Sequence, residues 1–231
     1  MNFWDFHTHK TGKKNIFNLN YSSSKSIPTF NYIQAVTLSA HPWDSDRFNF
    51  SEFVSSYEYV KSREDLKIVG IGEIGVDRLR GAPLRDQVSQ LGELVSFSSE
   101  VGLPMVFHCV KSLEDILKIL NDQSVIHTCL FHDFNGNSQM IDRVIQMGHL
   151  IGVGKSIFRG NSRIMKSFST ISLDHILLET DDLNIEIGQI YAKVAEIKNI
   201  TVDQVRLKMI RNSSKIDLGK SLVQGVDIEM S

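Results

Sequence analysis

Residues 5–9 read DFHTH, an acid and two histidines at alternate positions just after the apolar Phe3 and Trp4. Successive side chains of a strand point to opposite faces, so Asp5, His7 and His9 would project together from one face of a buried first strand. Three polar, metal-competent groups stacked there need partners, and the order of the remaining elements says where these lie. Short apolar runs read as strands at 3–9, 15–19, 34–41, 67–75, 104–109, 125–132, 149–154 and 175–181. Helical patterns fall at 84–101, 112–120, 138–147, 186–198 and 202–218, the last opened by a capping box of Thr201 and Gln204. Strands alternating with helices predict a parallel α/β barrel of the (β/α)8 TIM type. The run 15–19 is short and polar with no convincing helix before it, which keeps a distorted or seven-stranded closure as the alternative. Residues 1–218 form one barrel domain, and 219–231 are a C-terminal tail without a pattern.

In such barrels the active site is built at the C-terminal ends of the strands. His7 and His9 end the first strand, Glu73 lies near the end of the fourth (GIGEIG), His108 ends the fifth (PMVFHC), His132 the sixth (LFHDFNG) and Asp181 the eighth (ILLETD). Four histidines and two carboxylates therefore converge from five strand ends. Imidazole nitrogen with carboxylate oxygen suits zinc, manganese and related divalent ions. Six such groups exceed the three protein ligands of one hydrolytic zinc, so two ions roughly 3.5–4 Å apart are expected. Asp5 lies deeper and is read as orienting a histidine, with Glu179 in a similar supporting role. His41, in AHPWD, also ends a strand and is placed behind the ligands, and Trp43 is read as packing.

The 231 residues carry 25 Lys and Arg against 27 Asp and Glu, for a net charge of −2, so the molecule is no polycation. Positive charge is instead expected locally, in the loops that follow strands: Lys10, Lys13 and Lys14, then Arg78 and Arg80, then Lys155 and Arg159. Clustered on the active-site face, these predict an anionic, phosphate-bearing substrate. No row of aromatics is present to stack successive bases, which favours a terminal segment of nucleic acid or a small phosphoester. Two cysteines, the absence of a basic-then-apolar leader and the lack of an 18-residue apolar run predict a cytoplasmic protein with no membrane span. No obligate protein partner is evident.

The set DFHTH, HPW, GEIGVD, VFHC, FHDFNG and LLETDD resembles, in order and approximate spacing, the motifs of the TatD family of metal-dependent hydrolases, over residues 2 to 216. The resemblance implies an amidohydrolase-like barrel, divalent metals (zinc, manganese or magnesium) and deoxyribonuclease or related phosphoesterase activity. Carried over by motif, His7 and His9 bind one metal with Asp181, Glu73 bridges, and His108 and His132 complete the second site. ETDDLN lacks the proline that commonly follows the aspartate, and Asp133 stands where a small residue or cysteine is common. These departures bear on substrate choice. The expected function is a 3′-end-directed deoxyribonuclease using a two-metal-activated water, with Asp181 taking the proton. The rivals are the same centre acting on an amide, ester or lactone, and a metal-stabilised binding module without turnover.

Overall fold

The computed structural model describes residues 3–216. Strands β1 (Asp5–Thr8), β2 (Asn15–Asn20), β3 (Gln34–Ser39), β4 (Leu66–Asp77), β5 (Met105–Val110), β6 (Leu130–Phe131), β7 (Leu150–Val153) and β8 (Ile176–Leu178) form one parallel sheet in sequence order. Its two edges meet beyond β8: Asp181 N–H donates to His7 O at 3.0 Å, and His9 N–H to Asp181 O at 3.2 Å. The eight-stranded barrel is therefore present. The seven-stranded alternative fails because Ile16 to Asn20 pair residue by residue with Ala35 to Ser39.

Helices α1 (Phe50–Lys61), α2 (Leu84–Val101), α3 (Leu113–Asp122), α4 (Ser138–Gln146), α5 (Ile187–Lys198) and α6 (Val202–Ser213) cover the barrel. Helix α1 has no counterpart among the helical patterns of the sequence. Its buried Phe53, Tyr57 and Val60 do fall at helical spacing, behind an Asn49 cap, but interspersed serines dilute the pattern. Between β7 and β8 there is no α-helix, only 3-10 turns at Lys155–Phe158, Ile164–Lys166 and Leu173–His175. Strands β6 and β8 are shorter than their apolar runs suggested, whereas β4 extends to Asp77. The Thr201–Gln204 capping box forms, with reciprocal bonds of 3.1 and 2.8 Å. Helix α6 ends at Ser213 rather than 218, and the expected tail 219–231 lies outside the described residues.

The side-chain alternation that placed the histidines holds across β5 and β6. Phe107 and Phe131 pack ring to ring at 5.2 Å, and the residues after each, His108 and His132, approach one another with ring centroids 5.6 Å apart. Two glycines make room for this arrangement. A Cβ on Gly75 (φ 149°) would lie 2.0 Å from His108 O, so β4 can approach β5 only without a side chain there. A Cβ on Gly152 would meet Glu179 Oε2 at 2.2 Å, so that glycine leaves the space the buried carboxylate occupies.

Candidate metal centre

Glu73 is the hub. Its Oε1 lies 2.5 Å from His132 Nε2, 2.7 Å from His108 Nδ1 and 3.1 Å from His41 Nε2. Its Oε2 lies 3.6 Å from His7 Nε2 and accepts from Asn18 Nδ2 at 3.2 Å. The Glu73 N–H returns to Asn18 Oδ1 at 2.9 Å, so β2 clamps the hub residue from both its backbone and its side chain. Asp181 Oδ1 stands 3.5 Å from His9 Nε2 and 3.9 Å from His7 Nε2. Ligand-type atoms within 4.8 Å of one another form three groups among the described residues: His7, His132 and Asp181; His7, His9 and Glu73; His41, Glu73 and His108. All six expected ligands are thus brought together. His41 joins them, closer than a residue placed behind the ligands.

The donor set fits divalent cations on two counts. Both ring nitrogens of His7 are buried without a hydrogen-bond partner, which is costly for a buried imidazole unless its lone-pair nitrogen meets an acceptor such as a cation; Nδ1 of His132 is also buried without a hydrogen bond, with the Glu179 carboxylate 3.6 Å away. The carboxylates are also kept ionised, as ligands must be. Burial works to raise the Glu73 carboxyl, yet the His132 charge and bonds from His108, His132 and His41 hold it well below the usual range. Burial likewise opposes charge on His132, but the Glu73 and Glu179 carboxylates hold that ring well above the histidine range. Asp181 is buried too, and His9, His132, His7 and Lys155 together depress it.

Carboxylates stand behind two of the histidines. Asp77 Oδ2 lies 3.1 Å from His108 Nε2 and accepts the Trp43 indole N–H at 2.6 Å. Glu179 Oε1 lies 3.6 Å from His132 Nδ1 and accepts the Asp133 N–H at 2.5 Å. Asp77 was missed in the sequence although Glu73, Gly75 and Asp77 share strand parity in GEIGVD. Asp5 departs from its expected role: its carboxylate takes the Thr180 N–H at 3.0 Å and the Thr180 hydroxyl at 2.6 Å, tying β1 to the segment after β8 rather than orienting a histidine. Trp43 packs edge-on against His41 and His108, with ring centroids 4.8 and 5.9 Å apart. It is 46% exposed, with the Arg80 guanidinium 4.3 Å above its ring. Asp133 (φ 38°) and Asp181 (φ 53°) both hold left-handed backbone at the mouth, a strain that clusters at functional sites.

Among the described residues, the cationic mouth is smaller than expected, with Lys155 in the lining, Arg80 over the Trp43 ring and Lys10 at the rim. The cavity over the centre, about 630 Å³, is lined by Asp44, Glu73, Asp133, Asp181 and Asp182 against one cation, Lys155. That ammonium lies 2.8 Å from Asp181, 3.1 Å from Asp182 and 3.4 Å from Asp133. The two departures from the TatD pattern, at Asp133 and in the loop after Asp181, thus converge on Lys155. Arg78 is spent on a forked contact with Asp115, and Lys10 donates to Leu183 O and Asn184 at the rim. Arg159 lies in the neighbouring groove. Lys13 and Lys14 are not at the mouth at all. Lys14 O accepts from Asp5 N, at the start of β1, Gly12 N donates to the side chain of Gln34, at the start of β3, and Lys13 lies 5.9 Å from the Tyr32 ring. Parallel strands require a return crossover. With no helix to make it, the loop 9–14 itself runs down the barrel wall and leaves these lysines at the opposite end.

A family model described as TatD related DNase matches residues 10–216. The chain is similar to the uncharacterized metal-dependent hydrolase YjjV of Escherichia coli, 26% identical over 166 residues, covering 65% of this chain and 64% of that protein. It is also similar to a protein of Yersinia pseudotuberculosis named 3′-5′ ssDNA/RNA exonuclease TatD, 29% identical over 119 residues, covering 49% of this chain and 45% of that one. The matched region is thus less than two thirds of either relative's length. The crystal structure of YjjV, a TatD homolog, superposes with a TM-score of 0.74 at 20% identity, covering 87% of this chain and 85% of that one, which establishes the shared fold.

Proposed function

Because the chain belongs to the TatD-related DNase family, we propose that it is a metal-dependent phosphodiesterase, acting as a deoxyribonuclease directed to 3′ ends. The observation that carries this reading is the convergence of His7, His9, His41, Glu73, His108, His132 and Asp181 into overlapping ligand groups at one end of the barrel. His7, His9 and Asp181 would hold one divalent ion, His108 and His132 a second, and Glu73 would bridge. Bound there, the ions would supply Lewis acidity to the phosphoryl oxygens and lower the pKa of the attacking water.

The chain's own residues do the rest. Asp181, whose Oδ1 faces His7 and His9 and whose Oδ2 lies 2.8 Å from Lys155, accepts the proton of the water. Asp77, at 3.1 Å, orients the His108 ring from behind, and the buried Glu179 carboxylate, 3.6 Å from His132 Nδ1, favours that ring electrostatically. Arg80, stacked on Trp43, and Lys155 are the cations near enough to meet a phosphate. The acidic lining leaves most of the attraction for phosphate to the bound cations. The named activity of the Yersinia relative supports an exonuclease acting from the 3′ end. Among the described residues no helix is long and apolar enough to cross a membrane, and both cysteines are free, in keeping with the cytoplasmic setting we propose.

The test is chelation coupled to an end-labelled nuclease assay. Removal of metal should abolish release of 3′-terminal nucleotides and readdition of manganese or zinc should restore it. Full turnover with no detectable metal would rule out this mechanism.

A further inference from the structure

A second cavity, a groove of about 660 Å³, opens beside the metal centre and shares one wall with it, the side chain of Lys155. The loops after β7 and β8 form its sides, with Phe158 on one and Leu183 and Ile185 on the other, and Ala192 of α5 belongs to its lining. Both loops leave the C-terminal ends of their strands, so the groove opens on the same face as the clustered imidazoles and carboxylates. Phe158 is 47% exposed, and its ring has no aromatic or cationic partner among the described residues. A half-exposed aromatic over an aliphatic wall, next to a charged centre, suits an occupant with a flat apolar body and a charged end.

We propose that this groove seats one nucleobase, that of the nucleotide whose phosphate enters the metal centre. The inference rests on the phosphodiesterase reading and names the part of the substrate that this chain holds beyond the phosphate. Three features select a base over an alkyl chain. Phe158 offers a free face for stacking, which is tolerant of base identity. Gln189 provides an amide that can both donate to and accept from a base edge. Arg159, exposed and without a side-chain partner among the described residues, places a positive charge on the rim, suited to the sugar–phosphate backbone rather than to a hydrocarbon. Trp43, the other exposed aromatic near the centre, follows β3 and so stands four strands round the barrel. Its ring is already covered by Arg80 and its N–H is committed to Asp77. A single open platform fits a single base, and hence a terminal nucleotide.

The experiment is titration calorimetry on the full chain loaded with manganese, using deoxyadenosine 5′-monophosphate, deoxyribose 5-phosphate and hexyl phosphate. Stacking of one base predicts that the nucleotide binds about 5- to 100-fold more tightly than the sugar phosphate. Phe158→Ala should bring that ratio close to one, and Phe158→Trp should keep it. Equal affinity for the first two ligands, or a preference that survives Phe158→Ala, removes the base site and leaves the phosphodiesterase reading standing. Hexyl phosphate binding more tightly than the nucleotide overturns the proposal in favour of an alkyl or acyl occupant. Failure of all three to bind the metal-loaded protein counts against the phosphodiesterase reading, and the base site falls with it.

Discussion

Asp77 stands directly behind His108: its Oδ2 lies 3.1 Å from Nε2 of the ring, while Nδ1 on the other side meets Glu73 at 2.7 Å. With a cation bound on the Nδ1 side, the carboxylate at Nε2 would hold the proton on that nitrogen and orient the ring. The same carboxylate accepts Trp43 Nε1–H through Oδ2 and Leu79 N–H, at 2.8 Å, through Oδ1. An asparagine has one oxygen for these three donors. If that oxygen serves Leu79, an NH2 group faces the indole and His108, and the ring must move its proton to Nδ1. Asp77→Asn is therefore expected to weaken metal retention by about 10- to 100-fold with the fold intact. Metal per chain after dialysis, together with the histidine tautomer read from nitrogen-15 spectra, decides it. Undiminished metal with the wild-type tautomer would reduce Asp77 to a brace for Trp43.

The barrel and the convergence of ligand-type side chains at one end of it are legible in the sequence because both depend on alternation. His7, His9, His108 and His132 each close or flank an apolar run, and strand parity alone aims them inward. What escaped the sequence depends on where a chain goes between strands. Lys13 and Lys14 follow β1 in sequence but, for want of a helix, descend to the start of β2 (Asn15–Asn20). Asp77 was hidden because β4 continues past the apolar run. The role of Lys155 could not be read because the three acids that hold it come from two separate loops, after β6 and after β8.

The position of the β1–β2 loop reverses what its charge alone suggests for substrate binding. Lys13→Ala combined with Lys14→Ala should leave the salt dependence of single-strand binding unchanged. Arg80→Ala, at the mouth beside Trp43, should flatten the log–log slope by roughly 0.7, the value for one phosphate contact on a single strand. Binding isotherms at a series of salt concentrations provide the measurement. A flatter slope in the double lysine variant would place nucleic acid at the far end of the barrel.

His149 lies outside the centre and reports on folding. It is 3% exposed, its Nδ1 accepts the Cys129 N–H at 3.3 Å, and burial pushes its pKa down to about 4. The unfolded chain binds the proton near pH 6.5, and the folded chain only near pH 4. Between these values the unfolded state carries the extra proton, so stability is full above pH 6.5 and declines as pH falls towards 4. His149→Gln keeps an acceptor for Cys129 but does not titrate. From pH 7 to pH 5 the wild type should lose about 2 kcal/mol more than this variant, an order-of-magnitude figure. Urea unfolding at the two pH values tests it, and parallel losses would show that the His149 ring takes up its proton as readily in the folded chain as in the unfolded one.

Asp181 closes the first metal group, and its two oxygens face different partners. Oδ1 looks toward His7 and His9, and Oδ2 toward Lys155. Its backbone N–H and C=O also join the barrel's ends, through His7 and His9, and a side-chain substitution leaves those bonds in place. Asp181→Asn should therefore fold and should retain the ion held by Glu73, His108 and His132. The amide oxygen can still point toward a cation, which turns the NH2 toward the Lys155 ammonium, a repulsive contact. It cannot accept a proton from water. Turnover should fall about 10²-fold or more, since a general base contributes about 10²–10⁴-fold. Single-turnover rates at saturating metal separate the two roles of the carboxylate. If excess metal brought the variant back to the wild-type rate, Asp181 would act only as a ligand. Asp133 would then be the next candidate base: burial raises its carboxyl to about 6, against the pull of Lys155, and it stands 3.4 Å from that ammonium at the same mouth.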